Sequence, residues 1–127
     1  MDATYDLVVI GGGSAGLSAV GFGLEMGAST ALIERRRVGG DCTWTGCVPS
    51  KSLLKAAKVA HHMRTAATYG VTPAEPQVDL GDVMRHVRHI VAATYAEETP
   101  EVLREKGAAV YLGEACFVDP HTLTIGG

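Results

Sequence analysis

The sequence predicts an α/β fold of three layers, in which helices pack on a parallel sheet and a small antiparallel β element is added. Three observations predict it. Residues 5–10 end in the unbroken apolar run Leu7-Val8-Val9-Ile10, the pattern of a buried parallel strand. The glycine turn Gly11-Gly12-Gly13 opens a stretch rich in Ala, Leu and Gly over residues 14–26, which reads as a helix with Gly27 as its C-cap. Thr30-Ala31-Leu32-Ile33 then returns as a second strand ending at Glu34, completing a βαβ unit of about 30 residues.

The rest of the chain continues the pattern. Residues 50–67 read as helix, and Gly70, Pro73 and Pro76 mark residues 70–78 as loop. Asp79 is the expected N-cap of a long helix. In it Leu80, Val83, Val87, Ile90, Val91 and Thr94 recur at helical spacing, with Arg85, His86, Arg88 and His89 on the other side. Thr99 caps a short helix with Pro100 at its first position, and Gly107 stops it. Residues 109–112, 116–118 and 122–125 read as short strands, the last two joined by an Asp119-Pro120 turn. The chain reaches Gly126-Gly127 directly after a strand, with no closing helix and no second dinucleotide motif. Residues 1–127 are therefore expected to be the N-terminal part of a longer polypeptide.

A chain of 127 residues suffices for one domain with a modest core. A net charge of −3 offers no basic field for nucleic acid or an anionic membrane. No apolar run is long enough to span a bilayer, and residues 1–10 lack the regions of a secretion signal. Three cysteines without such a signal do not suggest a structural disulfide framework. The expected setting is the cytoplasm, where a close cysteine pair is catalytic or metal-binding.

Gly11-x-Gly13-x-x-Gly16 stands between the predicted strand and helix, the context in which this motif binds a dinucleotide. Gly11 allows the tight turn, Gly13 lets backbone approach a pyrophosphate, and Gly16 lets helix pack closely on strand. At the helix start, Ser14, Ala15 and Gly16 offer N–H groups and partial positive charge to the phosphates. Glu34 follows Gly13 by 21 residues and can accept hydrogen bonds from ribose hydroxyls. The motif does not separate FAD from NAD. Arg35-Arg36-Arg37 reads as a solvated basic turn, because Glu34 argues against a 2′-phosphate.

The second motif is Gly39-Gly40-Asp41-Cys42-Thr43-Trp44-Thr45-Gly46-Cys47-Val48-Pro49-Ser50-Lys51. The Cys42-x4-Cys47 spacing is not a usual zinc spacing, and no His lies nearby, so no metal site is expected. On an ideal helix the two Cα atoms would stand roughly 8–9 Å apart, whereas a disulfide needs roughly 4.4–6.8 Å. If the pair is to close, the segment must be distorted or its helix must begin late, and Gly46 makes distortion cheap. Pro49 suits a first helical turn. Cys47 then falls near a helix N-terminus, with Lys51 one turn on, and both are expected to lower its thiol pKa.

At these residues the chain strongly resembles the class I pyridine nucleotide–disulfide oxidoreductases, flavoenzymes such as dihydrolipoamide dehydrogenase, glutathione reductase and mercuric reductase. Their usual segment reads GG-T-C-x-N-x-GC-[VI]-PSK, and the resemblance extends over the whole chain, including Gly113-Glu114-Ala115 to Asp119-Pro120. It implies a Rossmann-like FAD-binding domain. It implies that Gly11, Gly13, Ser14, Ala15, Gly16, Glu34 and Arg35 bind the ADP half of FAD, and that Gly40, Asp41, Cys42 and Gly46 line the cofactor. Cys47 would face the flavin as a charge-transfer thiolate, Cys42 would exchange with substrate, and Lys51 would lie near flavin N5. The family reaction passes electrons between NAD(P)H, FAD, the Cys42–Cys47 disulfide and a small-molecule or metal-ion acceptor. The NAD(P)-binding and dimerisation domains of such a homodimer would lie beyond residue 127.

Two departures stand out. Asp41 replaces the common Thr and Trp44 the common Asn, which point toward a mercuric reductase-like branch. The alternative is an FAD-binding module with idle cysteines. An NAD-linked dehydrogenase fits poorly with the cysteine segment. Cys116, alone in a predicted strand, reads as core packing. His86 and His89 read as a solvated face, as do Lys55, Lys58 and His62 beyond Lys51; no role is assigned to His61.

Overall fold

A computed structural model describes residues 3–126. Met1, Asp2 and Gly127, and with them the reading of the two chain ends, lie outside the described residues. The apolar run forms β1 (Leu7–Ile10), the glycine turn leads into α1 (Ser14–Glu25), and the chain returns as β2 (Thr30–Glu34). Gly27, at φ +74°, takes the left-handed position just past α1. After two further helices described below come α4 (Leu80–Tyr95), α5 (Pro100–Glu105) and β3 (Ala109–Leu112). β1 and β3 both pair in parallel with β2, in the order β1-β2-β3. The central position of β2 explains its continuous apolar composition, since both of its faces are covered.

The register sets the core. Val9, Leu32 and Val110 lie side by side across the three strands, and Val20 of α1, Val38, Leu103 of α5 and Ala108 pack on them. Gly23 lets α1 approach: a Cβ there would stand 2.6 Å from Thr30 Oγ1 and 2.8 Å from a Leu7 methyl. The other sheet face is more open, with Ile10 half exposed.

Both predicted caps form. Asp79 Oδ1 accepts the N–H groups of Gly81 (2.7 Å) and Asp82 (3.3 Å). Thr99 Oγ1 accepts Val102 N–H at 3.3 Å, with Pro100 opening α5. Val87 buries the α4 stripe, while Leu80 in its first turn stays exposed. Arg85, His86, Arg88 and His89 are exposed as expected.

Three expectations need correction. The helix expected over 50–67 begins earlier, as α3 (Cys47–Thr65), and its last turn tightens to a 3₁₀ turn (Ala66–Tyr69). A short helix, α2 (Gly40–Trp44), precedes it within the cysteine segment. The last two strands are longer than expected, β4 (Glu114–Asp119) and β5 (Thr122–Gly126), and pair antiparallel as a separate ribbon. Cys116 of β4 is exposed rather than in the core, because among the described residues this two-stranded ribbon has no second layer to bury it. No helix among the described residues is long and apolar enough to cross a membrane.

Candidate functional site

The first glycine turn is shaped by close backbone approach. Gly11 adopts φ +99°, and a Cβ on Gly16 would stand 1.8 Å from the Gly11 carbonyl oxygen. Gly13 caps α1 without a side-chain acceptor, and no acidic residue occupies the first turn. The first N–H groups of α1, at Ser14, Ala15 and Gly16, therefore keep an uncompensated helix dipole suited to an anion.

The cysteine segment is clamped onto this turn. Gly39 N–H donates to the Gly12 carbonyl at 2.7 Å. Gly40, at φ +58°, lies against Gly13, so closely that a Cβ on it would be 2.8 Å from Gly13 Cα. Two motifs some 25 residues apart in sequence thus form one backbone cradle.

Beside the cradle opens a cleft of about 660 Å³, lined in part by Gly11, Glu34, Arg35, Gly40 and Asp41. Gly113, Glu114 and Ala115 contribute to it from the far side of β2. Glu34 is fixed at the rim: one carboxylate oxygen accepts Gly12 N–H at 2.7 Å and the other accepts Arg36 N–H at 2.7 Å. Each oxygen retains a lone pair for a hydroxyl donor.

Trp44, also in the lining, is locked on three sides. Its indole N–H donates to the Val38 carbonyl at 2.9 Å. Its ring packs on Tyr95 of α4 at 4.7 Å between centroids, and the Arg37 guanidinium lies 3.8 Å over it. Next to it, buried Thr43 donates to Glu98 at 2.8 Å. These contacts fasten α2 to α4. Sequence reasoning singled out Trp44 only as a departure and missed Arg37, Thr43 and Glu98. One signal was available: a lone tryptophan shortly after three arginines suggests a cation–π partner.

The break between α2 and α3 falls at Thr45 and Gly46, the latter at φ −113° and ψ −109°. A Cβ on Gly46 would stand 2.8 Å from the Asp41 carbonyl oxygen. This is the distortion the spacing required, and it makes Cys47 the first residue of α3. Both cysteines are free thiols, on either side of this break.

The Cys47 side chain, and after it the Ser14 hydroxyl, act most strongly on the Cys42 thiol. Together they hold the Cys42 thiol below its ordinary pKa against the opposing effect of burial, and Cys47 N–H and the Lys51 charge act in the same direction. The interaction with the Cys42 side chain and its charge push Cys47 up, partly offset by Lys51. Against the expectation of a lowered Cys47, the two thiols act on each other and the downward direction falls on Cys42. Gly13, Ser14, Ala15, Gly16 and Cys42 stand outside the cleft lining, as do Gly46, Cys47 and Lys51 near the head of α3, with Cys47 and Lys51 exposed. Ser14 bears on both halves of the site, since it opens α1 and its hydroxyl helps to lower the Cys42 pKa.

Comparison with known proteins gives a consistent result. The mercuric reductase of Lysinibacillus sphaericus is 34% identical over 123 residues, 97% of this chain and 22% of that protein. The mercuric reductase of Staphylococcus aureus is 33% identical over 126 residues, 99% of this chain and 23% of that protein. The dihydrolipoyl dehydrogenase of Zymomonas mobilis is 38% identical over 109 residues, 86% of this chain and 23% of that protein. The chain thus spans less than a quarter of the length of these relatives. Residues 5–126 match one family throughout, and the chain belongs to the pyridine nucleotide-disulphide oxidoreductases.

Proposed function

We infer that the full-length protein is a flavin-dependent NAD(P)H:disulfide or metal-ion oxidoreductase working through Cys42 and Cys47. The observation that carries this reading is the joint between the two motifs, where Gly40 lies against Gly13 and Gly39 N–H donates to the Gly12 carbonyl. A dinucleotide cradle and a dithiol are built as one unit.

The residues fit an FAD. Gly11, Gly12 and Gly13 form a turn with no side chain to obstruct a pyrophosphate, Ser14, Ala15 and Gly16 open the helix that follows, and Glu34 and Arg35 line the cleft beside it. Gly40, Asp41 and Gly46 belong to the segment that would close over the cofactor. When bound, FAD supplies a two-electron carrier beside the dithiol, with NAD(P)H as co-substrate. The chain's own residues do the rest. The Cys42 thiolate attacks an acceptor sulfur, and a thiolate leaves. Cys47 then attacks the mixed disulfide at Cys42, releases the second thiolate and loses its proton to water. Lys51 keeps positive charge beside both sulfurs. Residues 1–127 form the first part of the FAD-binding domain. The nicotinamide and dimerisation domains belong to the rest of a cytoplasmic homodimer. The acceptor is a small disulfide or a metal ion such as mercuric ion.

The test is anaerobic titration of the full-length protein with a dithiol, followed by visible absorbance. A long-wavelength band that Cys47→Ser abolishes is the expected result. Direct bleaching of bound flavin, unaffected by Cys47→Ser, would leave a flavin-binding module with idle cysteines.

A further inference from the structure

A cationic stripe begins at the dithiol and runs away from it. α3 carries Lys51, Lys55, Lys58 and His62 at steps of four, three and four residues, so their side chains line one side of the helix. All four are exposed. α3 holds no Asp or Glu, and among the described residues no acidic group comes within ion-pair distance of Lys51, Lys55 or Lys58. Arg64, off the stripe, is by contrast neutralised by Glu75 at 2.8 Å. The chain as a whole is negative, at −3, so the stripe runs against its sign. Its nearest acidic neighbour in sequence is Asp41, beside Cys42. Leu54, 67% exposed, flanks the stripe and offers an apolar contact.

We propose that this stripe is a docking track for small anionic disulfides, carboxylate-bearing acceptors that the dithiol reduces. The proposal rests on the dithiol reading above. From Lys51 to His62 the stripe covers about 16 Å, the span of a small molecule rather than of a nucleic acid groove. Lys55 and Lys58 stand about 6 and 10 Å along the helix from Lys51, within the roughly 10 Å over which charges act at 0.1 M salt. An anion drawn to them is concentrated at the head of α3, where the sulfurs lie. The chemistry is thiol–disulfide exchange: the acceptor's S–S bond takes two electrons and leaves as two thiolates, and Cys42 and Cys47 end as a disulfide.

The test uses the full-length protein with Cys116→Ser, reduced and freed of excess reductant. It compares two probes, the dicarboxylate dithiobis(nitrobenzoate) and uncharged dithiodipyridine, by stopped-flow release of thiolate. Cys42→Ser and Cys47→Ser combined report the contribution of every thiol outside the pair. The readout is the ratio of the dicarboxylate rate to the uncharged rate, which cancels effects on thiol reactivity itself. Lys55→Glu with Lys58→Glu should lower this ratio by roughly three- to ten-fold at low ionic strength. Lys55→Gln with Lys58→Gln should lower it less, and added salt should erase the difference. A ratio unchanged in the Glu variant overturns the docking track and leaves the dithiol standing. An uncharged probe that reacts equally well with Cys42→Ser and Cys47→Ser combined overturns the dithiol reading and the track with it.

Discussion

The cradle and the dithiol share a joint, yet they are held by different means. At Gly16 and Gly40 in the cradle, backbone stands against backbone, and a Cβ would meet it within 3 Å. Around Cys42 and Cys47, position depends on side chains, through Trp44, Thr43 and Ser14. A phosphate site gains from rigidity, because its N–H groups must stay aimed. A dithiol must approach, open and close, and its sulfurs stand among adjustable contacts. The lesson is that one short segment, 39–47, passes from one mode to the other.

The sharpest way to break this contrast is Gly16→Ala. Its Cβ meets the Gly11 carbonyl oxygen at 1.8 Å, and urea unfolding should show a loss of about 3 kcal/mol. Gly21→Ala on the same helix meets nothing within 4 Å and should gain about 0.5–1 kcal/mol. Equal effects at the two positions would show that the turn tolerates bulk. Trp44→Ala comes next. It removes the Val38 hydrogen bond and the Tyr95 and Arg37 packing, and thermal unfolding should register about 2–3 kcal/mol. Trp44→Phe, which keeps a ring and loses only the N–H, should cost about 1 kcal/mol.

The smallest effect sharpens the joint itself. Only thiolate reacts with iodoacetamide, and donors to Cys42 lower its pKa, so they extend its reactivity toward lower pH. Removing the Ser14 hydroxyl removes one of those donors. Ser14→Ala should move the pH profile of Cys42 alkylation upward and slow the reaction at neutral pH. A profile that stays in place would show that the two halves of the site are not coupled through this contact.

Local chemistry was legible in the sequence. The βαβ unit, its glycines, the Asp79 and Thr99 caps and the stop at Gly107 all follow from rules spanning a few residues, and all stand where expected. The need for a distortion between the cysteines was also legible, from spacing alone. Its form was not. Whether Thr45-Gly46 bends one helix or divides two depends on Trp44 meeting Tyr95, a contact across 51 residues. The direction of the thiol shifts failed for a similar reason. Helix position favours Cys47, but the Cys47 side chain acts first on Cys42, and Ser14, from a distant part of the chain, adds to it. Cys116 misled because a strand's apolar residues are buried only where a second layer exists.

The lock around Trp44 has a practical side. This is the chain's sole tryptophan, so its fluorescence comes from one indole at one address. That indole sits in the cleft wall, with a guanidinium on its ring and a phenol against it. A chromophore entering the cleft would quench it by energy transfer, and loosening of α2 would expose it to water and redden its emission. The molecule carries its own optical gauge for occupancy and for the order of the segment that bears Cys42, and no label needs to be attached.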